Sequence, residues 1–149
     1  MKIIGCGNQD RGDDHAGIVV AERLRELGFD AETHSGDALG LIEKWSSDDD
    51  VILVDAVVTG AKPGTLQVWN FSRSGSGTVK FAEGATVSSH GFDVAEAIEL
   101  GRALHRLPSR LRIYGIETEQ FDHGTEISEP VRGAILQAVE RIRAELSTS

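Results

Sequence analysis

A chain of 149 residues can bury a real core, and 40% hydrophobic against 26% charged residues marks an ordinary globular sequence rather than a disordered one. A formal net charge of −9 repels phosphate backbones and anionic lipid, so neither nucleic acid nor a membrane is an expected partner. The single cysteine, Cys6, excludes an internal disulfide. No run of 18 apolar residues occurs and the opening Met1–Gly7 is too short for a signal-peptide apolar region, so the expected compartment is the cytoplasm.

In chain order, Met1–Gly5 reads as a short buried strand ending in a glycine turn. Asp13–Leu27 has helix chemistry, with acidic residues at its start, Ala16, Val19, Val20, Leu24 and Leu27 at helical spacing, and Gly28 as its stop. Ala31–His34 predicts a second strand, and Ala38–Trp45 a short helix with Leu39, Ile42 and Trp45 on one side. Val51–Ala56 is an aliphatic run interrupted only by Asp55, the pattern of a strand buried on both faces of a parallel sheet. Lys62-Pro63-Gly64 is a turn, Thr65–Phe71 alternates as a strand, and Ser72–Gly77 is a polar, glycine-rich loop. Gly91–Leu104 predicts a helix and Leu111–Ile116 a strand. Ser128–Leu146 predicts a long amphipathic helix with Ser128 as N-cap and Glu129-Pro130 in its first turn. The densest basic stretch, Arg102, His105, Arg106, Arg110 and Arg112, is flanked by acidic residues and reads as a solvated helix end followed by a turn. Strands alternating with helices, without repeat or linker, predict one α/β domain over residues 1–149: a doubly wound, mostly parallel sheet with helices on both faces.

Ligands of open α/β sheets bind outside the carboxyl ends of the strands. Asp14 opens the helix after the first strand, Asp55 closes the most apolar strand, and His90 directly precedes a helix, so all three fall at that edge. Two carboxylates and an imidazole suit a divalent transition metal completed by water or substrate, and equally a metal-free acid/base group. Each also has a plain structural role: Asp14 as a helix-dipole partner, Asp55 as an acceptor for loop amides, His90 as an N-cap neighbour. Cys6 has the size and alternation of a core residue rather than a nucleophile's setting. His15, His34, His105 and His123 lack ligand spacing; His15 and His123 could line the cleft, with solvated surface as the expectation. The opening GCGNQDRGDDHAG has Asp10 where a dinucleotide fingerprint needs its third glycine, and no Walker G-K-[ST] follows; Asp10, Asp13 and Asp14 would repel a phosphate at that helix start.

The same segment resembles the G-x-G-N-x(4)-D-[DE]-x-x-G opening of the hydrogenase maturation proteases, endopeptidases that remove a C-terminal extension from the nickel-iron hydrogenase large subunit after nickel insertion. Val54-Asp55-Ala56 resembles that family's strand-end aspartate, Ser89-His90-Gly91 its histidine segment, and Tyr114–Glu117 and Gly124–Val131 its later motifs. The resemblance covers nearly the whole chain. It implies an αβα sandwich around a twisted sheet of about five strands, a hydrogenase large-subunit precursor as partner, and Asp14, Asp55 and His90 as metal-binding and catalytic positions. The metal it implies is nickel, carried by the precursor. Gly5, Gly7 and Asn8 would shape the turn beside the site, with Gly36 and Asp37 near its border. Gln9-Asp10-Arg11-Gly12, where the family commonly has apolar residues, and His15, where a small one is frequent, depart from the pattern. A non-catalytic metal-sensing chaperone on the same fold is the alternative function.

Overall fold

The apolar runs do become strands, and their alternation divides the core into two layers. The computed structural model describes residues 1–7, 15–35, 38–46, 48–72, 86–87, 94–118 and 126–147. The elements are β1 (Lys2–Cys6), α1 (Ala16–Glu26), β2 (Ala31–His34), α2 (Ala38–Ile42), β3 (Asp50–Val58), β4 (Leu66–Ser72), β5 (Thr86–Val87), α3 (Val94–Ala103), β6 (Arg110–Glu117) and α4 (Glu129–Ser147). The sheet runs β2-β1-β3-β6-β4, with β5 paired to β3. β2, β1, β3 and β6 are parallel; β4 lies antiparallel on β6, and β5 antiparallel on β3.

Successive side chains of a strand point to opposite faces. Ile3, Ile52, Val54, Tyr114 and Ile116 therefore pack with Val20 and Leu24 of α1 and Val131, Ile135 and Ile142 of α4. Ile4, Cys6, Leu53, Val57 and Ile113 pack on the other face with Leu41 and Ile42 of α2 and Ala97 and Ile98 of α3. This is the expected three-layer αβα sandwich. Cys6 is fully buried in the second layer, as a core residue.

Helix ends follow local chemistry. Past α1, Gly28 takes a φ of +96° while its N–H and that of Phe29 return to the carbonyls of Arg25 and Leu24, a left-handed C-cap that glycine adopts without strain. His105 (φ +56°) does the same after α3, where the N–H of Arg106 reaches Gly101 O at 2.7 Å. Ser128 O accepts the N–H of Arg132 at 2.9 Å, the first bond of α4, as its N-cap assignment requires.

Three expectations need correction. Leu39 and Leu27 are exposed, although their spacing placed them on buried faces; α2 stops at Ile42, so Leu41 takes the inward position beside Ile42, and Leu27 is already the C-cap of α1. Trp45 is buried as expected, its indole N–H donating to Arg106 O at 2.6 Å. Arg112 is not part of a solvated basic stretch. It lies in β6, buried, paired with Asp50 at 3.0 Å and with Glu145 of α4. The Tyr114 hydroxyl also donates to Glu145, and the Arg141 guanidinium sits 5.9 Å from its ring centroid.

Candidate active site at the carboxyl edge of the sheet

The edge is built first by two glycines. A Cβ on Gly17 would stand 2.3 Å from Val54 O and 2.5 Å from Cys6 O. One on Gly5 would stand 2.1 Å from Gly17 O. The first turn of α1 therefore rests directly on the backbone of β1 and β3, one residue short of Asp55. Beyond β1 the chain crosses to β2 while β3 lies on the other side, and α1 and α3 cover opposite faces. That makes the β1/β3 boundary the topological switch point, where open α/β sheets bind their ligands.

Asp55 stands at this boundary. The pairing of β3 with β1 runs to Gly5↔Val54, and that with β5 starts at Val57↔Val87, so the edge of β3 changes neighbour at Asp55 and Ala56. Asp55 is fully buried, and its Oδ1 accepts the N–H of Ala56 at 2.9 Å. Across β6 its register partner is Gly115, where a Cβ would meet Trp69 Cζ3 at 2.5 Å. The Trp69 ring thus closes over the neighbouring strand beside the carboxylate.

Asp14, His90, Asn8, Gly36, Asp37 and His123 lie outside the described residues. The described neighbours of the two predicted partners lie at the same edge. His15, the N-cap of α1, precedes Gly17 by two residues. β5 ends at Val87 against Val57, two residues beyond Asp55. His15 is half-buried rather than solvated, and its Nδ1 is buried without a hydrogen-bond partner among the described residues. Among those residues no three His, Cys, Asp or Glu side chains form a metal-binding group.

Sequence reasoning passed over a second buried carboxylate. Glu117 ends β6 as Asp55 nearly ends β3 and is almost fully buried. Both of its oxygens accept the N–H of Thr59, at 3.1 and 2.9 Å, and Oε1 accepts the Thr59 hydroxyl at 2.5 Å. The Gln67 amide donates to Thr59 Oγ1 at 2.9 Å. The signal was present: an acidic residue closing an apolar strand, the pattern that singled out Asp55.

With this geometry in view, comparison with known proteins decides the lineage. Residues 25–145, well over half of the chain, match the profile of a family described as hydrogenase maturation protease. The chain belongs to the hydrogenase maturation protease family. The matched span contains Asp55 and His90. Asp14 precedes it, in the opening segment whose resemblance to the family is carried by its glycines and acidic pair. Among relatives, Protein FrxA of Pyrococcus furiosus is 29% identical over 133 residues, covering 88% of this chain and 93% of that protein. The hydrogenase expression/formation protein HupD of Rhizobium leguminosarum bv. viciae is 26% identical, covering 93% of this chain and 69% of HupD. Of solved structures, the [NiFe] hydrogenase maturation protease HybD from Thermococcus kodakarensis superposes with a TM-score of 0.76 at 23% identity, covering 96% of each chain. The hydrogenase maturating endopeptidase HybD from E. coli gives 0.73 at 20% identity, covering 99% of this chain and 91% of that one. These likenesses establish the fold. Family membership makes the protein a hydrolase, an endopeptidase of hydrogenase maturation.

Proposed function

We propose that this maturation protease removes the C-terminal extension of a nickel-iron hydrogenase large-subunit precursor at the carboxyl edge of its sheet, using Asp14, Asp55 and His90 as one group. The observation that carries the reading is Asp55: a fully buried carboxylate at the switch point, where β3 changes neighbour. Burying a carboxylate is expensive unless its charge is used or compensated. Chain connectivity supports the other two. Asp14 is bonded to His15, two residues ahead of the glycine that rests on Val54. His90 follows Val87 by three residues, a reach of at most about 10 Å.

The donors fit the metal that the family implies. Carboxylate oxygens and an imidazole nitrogen suit a borderline divalent ion such as nickel, and a site of few ligands suits an ion that arrives on the substrate. When bound there, nickel would orient the cleavage segment or polarise the scissile carbonyl. The chain's own share is to keep the Asp55 carboxylate in place through the Ala56 N–H and to hold it buried on the face where Trp69 covers the neighbouring Gly115. The precursor is the partner, with no role for nucleic acid or membrane. No helix among the described residues is long and apolar enough to cross a membrane, and we place the enzyme in the cytoplasm, acting as one domain.

Asp55→Asn tests the reading. Asparagine keeps the size and the acceptor for Ala56 but loses the charge. Incubated with nickel-loaded precursor and followed by intact-mass spectrometry, it should leave the extension uncut, a loss of about 100-fold or more, with Tm essentially unchanged. Processing at the normal rate would remove Asp55 from the mechanism.

A further inference from the structure

We propose that Glu117 is a positioning residue of this protease: it grips both ends of the loop 59–65 and so sets the wall of the cleft beside Asp55. The inference rests on reading the carboxyl edge as the active site. Thr59 at the start of the loop is held by the Glu117 carboxylate through N–H and hydroxyl. The end of the loop is held by the Glu117 backbone, whose carbonyl accepts Gly64 N–H at 2.8 Å and whose N–H donates to Thr65 O at 2.9 Å. Inside the loop, Gly60 and Gly64 take φ of +91° and +89°, and Gly64 lies against Pro130 in the first turn of α4. One residue thus clasps a seven-residue loop and ties β3, β4 and β6 together at their active-site end.

Its placement relates the clasp to Asp55. Asp55 pairs with Gly115, and Val57 with Glu117. Parallel register puts all four on one face of the sheet, the face of Leu53 and Val57. One strand spacing and two residues of rise separate the Cα atoms of Asp55 and Glu117 by about 8 Å. The loop leaves β3 four residues after Asp55, past the partly exposed Val58, so a peptide reaching Asp55 along this edge meets Val58 and the loop. Backbone bonds alone could close such a turn. A buried carboxylate that spends three contacts on one threonine makes the loop stiff, and stiffness matters where a substrate segment must be seated in register.

The experiment uses the full chain and nickel-loaded precursor over a range of concentrations, comparing the unaltered protein with Glu117→Ala, Glu117→Gln and Thr59→Val, each with its Tm. We expect Glu117→Ala to raise KM by roughly tenfold or more while kcat stays within about twofold. Glu117→Gln keeps an oxygen for the Thr59 N–H and should bring KM back to within about threefold. Thr59→Val should raise KM less than Glu117→Ala does, and should add nothing to it in the double variant. An unchanged KM in folded Glu117→Ala overturns the proposal, as does a loss that only tracks the folded fraction, a loss confined to kcat, or a glutamine no better than alanine. If Glu117→Ala does not fold, Thr59→Val decides alone, and a normal KM for it overturns the proposal. Asp55→Asn in the same assay keeps the two questions apart: normal processing by that variant removes the site reading, whereas the Glu117 inference is judged by KM.

Discussion

Tyr114, Asp55, Glu117 and Arg112 are polar groups inside a small core, each held by a different means. Tyr114 sits among aliphatic side chains between β6 and α4, and burial raises its pKa above the ordinary 10.0, although Arg141 and Arg112 pull in the opposite direction. The native state therefore keeps its phenolic proton when the unfolded chain has lost it. That contribution to stability is fully present below about pH 10 and is lost as pH rises from there through the raised native value. At neutral pH, Tyr114→Phe should be less stable by about 1–2 kcal/mol through the missing bond to Glu145. Above pH 10 the Tm of the unaltered protein should fall more steeply, so that the two converge. Parallel Tm curves in calorimetry from pH 8 to 11 would contradict this assignment. Asp55 was legible in the sequence because an acidic residue interrupts an aliphatic run. Arg112 was not, because its partners, Asp50 and Glu145, are distant in sequence and only the pairing of β3, β6 and α4 brings them together.

Among the elements, α1 is the most constrained. Its first turn is seated on the carbonyls of Cys6 and Val54, which leaves no room for a side chain at Gly17. Gly17→Ala would push a methyl group against backbone rather than against a flexible side chain. We expect about 3 kcal/mol of destabilisation and a fall in Tm on the order of 10 °C. Because Asp55 follows Val54 directly, kcat/KM should fall even at temperatures where the variant remains folded. A near-normal Tm in thermal unfolding would show that α1 can lift from the sheet without cost. Helix boundaries were legible to within a few residues where a glycine or a capping residue marks them, as at Gly28 and Ser128. The two-residue β5 was not, since Thr86-Val87 is too short to show alternation. Its assignment depends on pairing with Val57 and Val58.

For the whole molecule, the central expectation is that three segments far apart in sequence act as one unit. Asp14, Asp55 and His90 belong to the chain after β1, to the end of β3 and to the segment before α3. The parallel order β2-β1-β3-β6 sets the carboxyl ends of β1 and β3 side by side at one edge, which is the basis of that expectation. Groups that act together are strongly non-additive. Asp14→Asn, Asp55→Asn and His90→Ala should each reduce processing to about the same residual rate, and any double variant should be little slower than the single ones. Independent, multiplying losses in single-turnover assays would show that the three do not share a step.

Periodicity, glycine placement and isolated charges in apolar runs are local properties, so the sequence by itself determined the five main strands, the four helices, the layer type and the candidate trio. Its motifs also pointed to the protease family. The tertiary structure decided the matters that depend on register: that Asp55 lies where β3 changes neighbour, that Gly115 leaves Trp69 beside it, and that Arg112 is an interior ion pair. It also decided that Glu117, read in sequence only as part of a motif, clasps the loop that follows the Asp55 strand. Register is a relation between strands, set by which faces are buried together, and no window along a single strand contains it.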